Sequence, residues 1–218
     1  MEPAFRCLRP PRNCLLIFVL LHDNPSSFRY FRNPYHFSSF SDAGEVCPFC
    51  GLTRPGYGGV FYGIDNDGIN FICEVCLLEG KLAEKALTTN EGGHLRPGIE
   101  AQYPNLSKIE LELLIQTRTA ELEQHTPRMM TWQDLFWPSH CGDFCCFVKE
   151  AGQLDMQRLA LDGDGQRFFE DHMEERQEGV WKNIRHDAPE DNSVGYTLGV
   201  YLFQCLECGE YVITWDCD

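Results

Sequence analysis

Short apolar runs and a longer helical repeat divide the first half of the chain into distinct predicted elements. Apolar residues at 60–62 and 69–72 flank the turn sequence at 65–68, and this arrangement predicts a β-hairpin. From 77 to 87 the apolar residues repeat at helical spacing, which predicts a helix with an interruption near Gly80. We therefore expect the order strand, turn, strand and helix in this part of the chain.

A second helical pattern follows in the middle of the sequence. Ser107 stands three residues before Glu110, and this capping-box pair predicts a helix start, because each side chain can bond the other's backbone N–H. Thr126 and Pro127 predict the end of the helix, since a residue before proline disfavours helical backbone. We expect the apolar stripe of this helix to pack on the core. The stripe consists of Leu111, Leu114, Ile115 and Leu122.

The C-terminal third contains a turn, a charged segment and two strand patterns. The turn sequence at 162–165 predicts the start of a helix that extends roughly from 166 to 185, with its acidic residues on a solvated face. Strands are predicted at 196–204 and 211–215, on either side of a cysteine pair. Helices and strands mixed in this way predict an α+β fold.

The first 27 residues differ from the rest of the chain. Three arginines within the first twelve residues precede a run of seven apolar residues at 15–21, far short of the roughly 20 residues that span a bilayer. No small-x-small cleavage site follows the run, so neither a secretory signal nor a membrane span is expected. We predict an N-terminal extension at 1–27 and a folded domain at 28–218, with 28–105 and 106–218 as a finer division.

Charge limits the classes of partner. The 218 residues carry 18 basic and 33 acidic side chains, a net charge of -15. The first 40 residues hold five of the basic and two of the acidic groups, so the remaining 178 have 13 basic against 31 acidic. Such a body repels the phosphates of nucleic acids and attracts basic surfaces. The simplest interpretation is a well-solvated surface with no partner, and any partner is expected to be a protein or a small molecule rather than a nucleic acid.

Cysteine spacing adds the first candidate chemistry. Cys47 and Cys50 form one C-x2-C pair, and Cys73 and Cys76 form another after 22 intervening residues. Two such pairs can complete a tetrahedral zinc site of four thiolates. Disulfides and a redox pair are weaker alternatives, since disulfides need an oxidising compartment and a redox C-x-x-C pair normally stands alone. We call the tight turn of a C-x2-C-Gly sequence a knuckle. The order of knuckle, hairpin, second pair and helix predicts a treble-clef or ribbon-like zinc unit.

A second cysteine group is divided between the middle and the end of the chain. Cys205 and Cys208 form a further knuckle within the predicted C-terminal ribbon hairpin, and two more ligands must come from elsewhere. Cys141 and Cys145 are the first choice, because a spacing of one helical turn directs both side chains towards one ion. The substitutes are His140 and Cys146. The eight predicted ligands of two zinc ions are Cys47, Cys50, Cys73, Cys76, Cys141, Cys145, Cys205 and Cys208.

The order of these motifs resembles the CbrC-like family of bacterial proteins. The resemblance implies a cytoplasmic bacterial protein and, from one member, an association with colicin tolerance. The chain departs from the family where Glu74 and Val75 stand in place of proline and tryptophan, and where Cys146 adds a thiol beside Cys145. The matching segments are 28–30 and 33–34 before 47–50, then 72–85, then parts of 126–141 before 201–209.

Two functions from different classes are consistent with this sequence. The first is an interaction protein in toxin or stress tolerance, stabilised by closed zinc sites. The alternative is a zinc-dependent enzyme whose second metal keeps an open coordination position for water or substrate. Four protein ligands at that metal would oppose the enzyme. The open site would comprise His140, Cys141, Cys205 and Cys208, with Asp143 or Glu207 as the base.

Overall fold

The computed structural model combines helices with mainly antiparallel strands, and it describes residues 28–63, 68–174, 177–188 and 198–217. The predicted extension at 1–27 lies outside the described residues. The α-helices are α1 (Pro34–Phe37), α2 (Glu74–Leu78), α3 (Arg96–Gln102), α4 (Lys108–His125), α5 (Gln153–Leu159) and α6 (Gly165–His172). The strands are β1 (Phe40–Val46), β2 (Thr53–Gly58), β3 (Phe71–Cys73), β4 (Glu91–Gly92), β5 (Phe136–Trp137), β6 (Ser139–His140), β7 (Asp143–Phe144), β8 (Cys146–Glu150), β9 (Leu198–Gln204) and β10 (Tyr211–Cys217).

The N-terminal half contains an antiparallel sheet in the order β1–β2–β3. The prediction of a strand at 60–62 was wrong, because the strand that pairs with β3 is β2, and Tyr62 forms only an isolated bridge with Thr88. The pattern missed β2 because Pro55 and two glycines interrupt its apolar alternation. Most of the predicted turn at 65–68 lies outside the described residues.

The helix after β3 is interrupted where the sequence predicted. Gly80 adopts a left-handed conformation with φ of 69°, which ends α2, and the chain continues as a 3-10 helix at Lys81–Lys85. Leu77 and Leu82, one on each side of the interruption, are fully buried. The break therefore lets both short helices direct an apolar side chain into one core.

Helix α4 starts and ends as predicted. The Ser107 hydroxyl accepts the N–H of Glu110 at 3.3 Å, and the Glu110 carboxylate accepts the N–H of Ser107 at 2.8 Å. The helix ends before Thr126, and its residues Leu111 and Leu122 are buried in the larger of two cores. The predicted packing of its apolar stripe on the core is confirmed.

The second sheet has the order β10–β9–β8 and closes the C-terminal part of the fold. Strands β9 and β10 pair in register from Gln204↔Tyr211 to Leu198↔Cys217, which confirms the predicted hairpin over its described residues. At the other edge Phe147 of β8 bonds the segment before α1: its N–H donates to Tyr30 at 2.8 Å, and its carbonyl accepts from Arg32 at 2.9 Å.

The predicted helix at 166–185 was wrong beyond His172. Met173 has extended backbone and bridges to Ile213 of β10, and the N–H of Glu174 donates to the carbonyl of Ile213 at 3.0 Å. Gly179, with φ of 85°, precedes a short 3-10 helix at Val180–Asn183. Pairing with the sheet outweighs the helix propensity of the acidic residues, because tertiary contacts override such weak preferences.

The larger core contains side chains from both three-stranded sheets and from α4. Phe147 lies at its centre, with ring centroids 5.0 Å from Phe31 and 5.3 Å from Phe203. Trp137 contacts Phe203 and donates its indole N–H to the carbonyl of Cys145 at 2.7 Å. The smaller core lies between α5, α6 and the strands β9 and β10. Within the described ranges, no helix has the length and apolar character needed to cross a membrane.

Candidate metal centres

The first candidate centre lies where the N-terminal sheet meets α2. Cys47 follows β1, Cys73 ends β3, and Cys76 lies in the first turn of α2. The sulfur atoms of these residues and of Cys50 all lie within 4.8 Å of one another. The structure therefore brings together all four cysteines that the sequence assigned to the first site.

A tight turn directs the first pair towards the second. The N–H of Gly51 donates to the carbonyl of Cys47 at 2.8 Å, and the N–H of Cys47 donates to Leu52 at 3.0 Å. Gly51 has φ of 71°, a conformation that glycine adopts without strain. The N–H of Cys73 points at the Cys47 sulfur at 3.5 Å, so the two pairs contact each other directly.

The separation of the sulfur atoms fits a metal of zinc-like size. Four thiolates bound at about 2.3 Å in a tetrahedron have sulfur atoms about 3.8 Å apart. The Cys50 and Cys73 sulfurs are 3.8 Å apart. Cys47, Cys73 and Cys76 are buried, whereas Cys50 is exposed. The group can therefore enclose one ion with one edge open to solvent.

The electrostatics of this group differ between its members. Burial opposes ionisation of Cys47, but hydrogen bonds from the backbone of Cys73, Phe49 and Cys50 lower the pKa of its thiol to about 7. Burial raises the pKa of Cys76, and the neighbouring cysteine thiols raise it further. One thiolate is thus prepared near neutral pH, whereas the Cys76 thiol requires a bound cation to ionise.

The second candidate centre combines residues that are distant in sequence. His140, Cys141, Cys205 and Cys208 each place one ligand atom within 4.8 Å of the others. The Nδ1 atom of His140 lies 3.3 Å from the sulfur of Cys141 and 3.3 Å from that of Cys208. The Cys205 thiol lies 3.7 Å from the carbonyl oxygen of His140. Three sulfurs and one imidazole nitrogen form a donor set that suits zinc.

The knuckle at Cys205 repeats the backbone pattern of the first one. The N–H of Gly209 donates to Cys205 at 3.0 Å, and the N–H of Cys205 donates to Glu210 at 2.8 Å. Gly209 has φ of 76°. Two segments with little local sequence in common thus form the same turn around their first cysteine, as the C-x2-C-Gly spacing predicted.

A β-hairpin supplies the other half of the second centre. His140 pairs with Asp143 across a two-residue turn, and both turn residues have positive φ, 50° at Cys141 and 74° at Gly142. This is the type I′ geometry, which twists in the same sense as the flanking strands. The prediction of a helical turn from Cys141 to Cys145 was wrong, because the segment is folded back as β6 and β7.

The hairpin explains where Cys145 lies. Cys145 follows β7, its side chain is fully buried in the larger core, and it is not a member of either ligand group found in the described residues. Burial raises the pKa of its thiol. His140, the substitute, occupies the fourth place beside Cys141. Cys146 starts β8 and is also outside both groups, and burial raises the pKa of its thiol to about 11.

Charges around the second centre favour ionisation of one thiol. Burial opposes ionisation of Cys205, but hydrogen bonds from His140 and from the backbone of Cys208 and Glu207 lower its pKa to about 7. The same contact with Cys205 raises the pKa of His140. Burial raises the pKa of Cys208 to about 11. As at the first centre, the leading cysteine of the knuckle has a lowered pKa.

The sequence reasoning missed the groups that surround Asp143. This carboxylate was a candidate base, but Arg29 donates to it at 2.7 Å, Tyr30 donates at 2.8 Å, and Arg118 lies 3.4 Å away. Its side chain is 1% exposed. Nothing in the sequence around 143 indicated these partners, because they lie 114, 113 and 25 positions earlier in the chain.

Comparisons with known proteins place the chain within a family. The family model of UPF0167, described as an uncharacterised protein family, matches residues 26–217. UPF0167 protein PA1536 of Pseudomonas aeruginosa is 26% identical over 190 residues, which cover 84% of this chain and 92% of that protein. No solved structure matches the chain.

Proposed function

We propose that this chain, which belongs to the uncharacterised protein family UPF0167, is a zinc-stabilised interaction protein with two structural metal sites. The observation that carries the proposal is the presence of two separate groups of four ligand atoms, each within 4.8 Å. Thiolate-rich tetrahedral groups select zinc or iron, and a closed set of four ligands is typical of structural zinc. The N-terminal unit would then be a treble-clef or ribbon-like zinc unit, and β9 and β10 a zinc-ribbon hairpin.

The ligand set that we propose differs at one place from the first choice of the sequence. At the first site it is Cys47, Cys50, Cys73 and Cys76. At the second site it is His140, Cys141, Cys205 and Cys208, because Nδ1 of His140 approaches two of the sulfurs at 3.3 Å. Cys145 is buried in the larger core and is outside both ligand groups of the described residues.

Metal analysis of the purified full chain tests this proposal. We expect about two zinc ions per chain. X-ray absorption at the zinc edge should fit an average of 3.5 sulfur and 0.5 nitrogen ligands per metal, roughly what one four-cysteine and one three-cysteine, one-histidine site give together. Protein that is folded and carries no metal would refute the proposal, and iron in place of zinc would refute the metal assignment.

The interaction role rests on charge and on closed coordination. The body carries 31 acidic against 13 basic groups after residue 40, which favours a basic protein surface as partner. The resemblance to CbrC-like proteins supports a role in colicin or toxin tolerance. We propose a cytoplasmic location, because a reducing compartment keeps ligand thiols from pairing as disulfides.

A genetic complementation experiment tests the tolerance role. A strain without the gene should lose colicin tolerance, and the wild-type chain should restore it. A Cys47→Ser/Cys205→Ser double variant should fail to restore it, whereas Cys146→Ser should restore it, since Cys146 is outside both groups. Equal tolerance with and without the gene would rule out this role. Affinity purification from the same cells should recover a stoichiometric protein partner.

A zinc-dependent enzyme at the second site ranks below this proposal. Its metal would need an open position, but four protein donors lie together there. Its candidate base Asp143 is engaged by two arginines and a tyrosine. Cys208 and Glu207 are exposed, so solvent reaches the site. A metal-bound water detected at the second site of the zinc protein would favour the enzyme instead.

A further inference from the structure

The hairpin that carries His140 and Cys141 is held by one buried carboxylate. Asp143 is the residue opposite His140 in the β6–β7 pair, and its side chain is 1% exposed. Its Oδ1 atom accepts from the Tyr30 hydroxyl at 2.8 Å and from the N–H of Phe144 at 2.9 Å. Its Oδ2 atom accepts from Arg29 at 2.7 Å. Hydrogen bonds to both oxygens therefore fix the orientation of the Asp143 carboxylate.

Arg118 connects the same carboxylate to the turn itself. Its Nε atom lies 3.4 Å from Oδ1 of Asp143, and its Nη1 atom donates to the carbonyl oxygen of Gly142. Arg118 lies on α4, and its side chain is 13% exposed. A planar guanidinium that bonds two successive residues fixes their relative orientation. Helix α4 thus holds the turn that places Cys141.

The turn needs such support because of its backbone. Cys141 has φ of 50°, a conformation that residues with a Cβ atom rarely adopt. Packing adds to the constraint, since a Cβ atom on Gly142 would lie 2.8 Å from the backbone nitrogen of Ile99. The backbone position of Cys141 is therefore set by contacts outside the ligand group.

The partners Arg29 and Tyr30 belong to a segment that joins the fold at β8. Phe147 bonds this segment on both sides, through the carbonyl of Tyr30 and the N–H of Arg32. The ring of Tyr30 packs edge-on against Phe144 at 5.7 Å between centroids. Contacts of Asp143 therefore join this segment, α4 and the hairpin of the second centre.

We infer that Asp143 is a positioning residue for the second metal, and that it couples metal binding there to the docking of residues 28–32. This inference rests on the proposed function, because it requires a metal held by His140, Cys141, Cys205 and Cys208. A bound metal fixes the hairpin in the shape that Asp143 needs for Tyr30 and Arg29. Conversely, docking of the segment prepares the hairpin for the metal, since coupling between two sites is reciprocal.

Cadmium substitution of the full chain tests the inference site by site. Cadmium NMR separates a four-sulfur site from a site of three sulfurs and one nitrogen, so each centre reports independently. Affinity is then measured by competition with a chelator. We expect Asp143→Asn and Tyr30→Phe to weaken the second site by about 10- to 100-fold, the range for groups that orient metal ligands, and to leave the first site unchanged.

Matched variants separate positioning from a general loss of stability. Asp216 is also a buried carboxylate, 5% exposed, and it accepts from Tyr201 at 2.8 Å and from the backbone of Trp132 at 2.7 Å. The Asp216→Asn and Tyr201→Phe variants should leave both cadmium affinities within about twofold, since Asp216 accepts from Tyr201, Trp132 and Gln133.

Docking of the segment provides the second readout. Cleavage by trypsin at Arg29 or Arg32 in the full chain should accelerate when cadmium is removed from the second site of the wild-type chain. In Tyr30→Phe the cleavage rate should depend less on the second metal, because the variant lacks the hydroxyl that joins the segment to Asp143 of the hairpin. Hydrogen exchange at the N–H of Arg32 should change in the same way, because that N–H donates to β8. It should be faster without the second metal in wild type, and the difference should be smaller in Tyr30→Phe.

Each outcome decides the question. Equal second-site affinity in Asp143→Asn, Tyr30→Phe and wild type would overturn the inference while the two-metal proposal stands. Equal weakening of both sites would also overturn it, since that is the signature of a structural defect. A wild-type chain that shows only the four-sulfur signal would overturn the proposed second site itself, and the positioning role with it.

Discussion

The two candidate metal centres share one half and differ in the other. Each has a knuckle in which a glycine with positive φ follows the second cysteine, and the first thiol of each knuckle has a pKa lowered to about 7. The first centre completes itself with β3 and α2, 26 positions after Cys47. The second is completed by a hairpin 68 positions before Cys208. The knuckle is a local unit, and the position of the other two ligands sets the sequence separation that the centre closes.

This difference in reach has an energetic consequence. Closing a loop of 68 rather than 26 positions costs about 0.9 kcal/mol more in chain entropy. The first centre can therefore form within one sheet and one helix. We expect the second centre to need the pairing of β8 with β9, since this pairing brings the hairpin next to the knuckle. We expect the first centre to stabilise its own unit and the second to join the middle of the chain to its end.

Removal of both metals should have the largest effect. Structural zinc contributes about 10–16 kcal/mol of apparent binding energy to small zinc domains, which is as large as the whole stability of a typical domain, about 5–15 kcal/mol. A strong chelator should therefore unfold the chain or lower its melting temperature by tens of degrees. Near-ultraviolet circular dichroism checks this, because the buried aromatic cluster around Phe147 must be packed to give a signal.

The chelator experiment also separates the two centres. The second centre should release metal first, because one of its ligands is exposed and two are half-buried, whereas three of the four at the first centre are buried. Zinc release followed with a coloured chelator should show two phases. Native dichroism in fully metal-free protein would contradict the structural role of both centres.

Single ligand variants should have the next largest effect. Cys73 and Cys205 are almost fully buried, and serine at either position removes a ligand and leaves a buried hydroxyl. We expect each variant to keep one zinc and to lose more than about 4 kcal/mol of stability. Hydrogen exchange should place the damage of Cys73→Ser in β1–β3, and that of Cys205→Ser in the hairpin β6–β7 and the end of β9.

The matched control for these variants is Cys146→Ser. Cys146 is buried, bonds the carbonyl of Phe147 weakly at 3.6 Å, and is outside both ligand groups. It should keep two zinc ions and lose far less stability. If Cys145→Ser instead of the His140→Ala variant removed the second zinc, the ligand set proposed for that centre would be incorrect.

Both halves of the first centre and the knuckle of the second could be predicted, whereas the hairpin that completes the second centre could not. A C-x2-C-Gly sequence determines a knuckle through a few adjacent residues, and the Ser107 capping box does the same for α4. The type I′ turn at Cys141 was hidden because cysteine rarely occupies its first position, although Gly142 was a signal for a hairpin. Contacts such as Arg29 with Asp143 join positions 114 apart, and no local pattern encodes them.

The predicted end of the helix at 185 was wrong for the same physical reason, because a contact distant in sequence determines where the helix ends. The acidic stretch after α6 has good helix formers, and helical propensity alone extended the predicted helix to 185. The backbone instead turns at Met173 because Ile213 offers a strand edge, which only the folded sheet creates. Features fixed by neighbours in sequence could be predicted, and features fixed by the sheet could not.

The pH dependence of metal affinity should distinguish the fourth ligands. Thiol protons compete with the metal, so affinity at both centres falls as pH falls. Cys47 and Cys205 have the same pKa of about 7, so they contribute equally. The two centres then differ in their fourth ligand, which is a thiol at the first centre and the imidazole of His140 at the second. Above the His140 pKa, which its contact with Cys205 raises, the imidazole no longer binds a competing proton.

The expected difference in slope is about one proton. The affinity of the first centre should rise about tenfold more per pH unit than that of the second, on the alkaline side of the His140 pKa. Zinc competition against a calibrated chelator measures this in Cys205→Ser, which keeps only the first centre, and in Cys73→Ser, which keeps only the second. Equal slopes would mean that a fourth thiol, and not His140, binds the second metal.

Loss of the Ser107 cap of α4 should have the smallest effect on stability. It is a reference for both centres, because α4 contacts the elements that carry each of them. His125 at its end lies 3.0 Å from the carbonyl of Leu78 on α2, and Arg118 bonds the hairpin at Gly142. Ser107→Ala removes the cap and should cost about 1 kcal/mol, whereas Ser107→Gly should cost only a few tenths, as measured by chemical denaturation. Both variants should keep two zinc ions. Because the cap lies at the far end of the helix from α2, selective loss of one metal in Ser107→Ala would show that α4 supports that centre more strongly than the other.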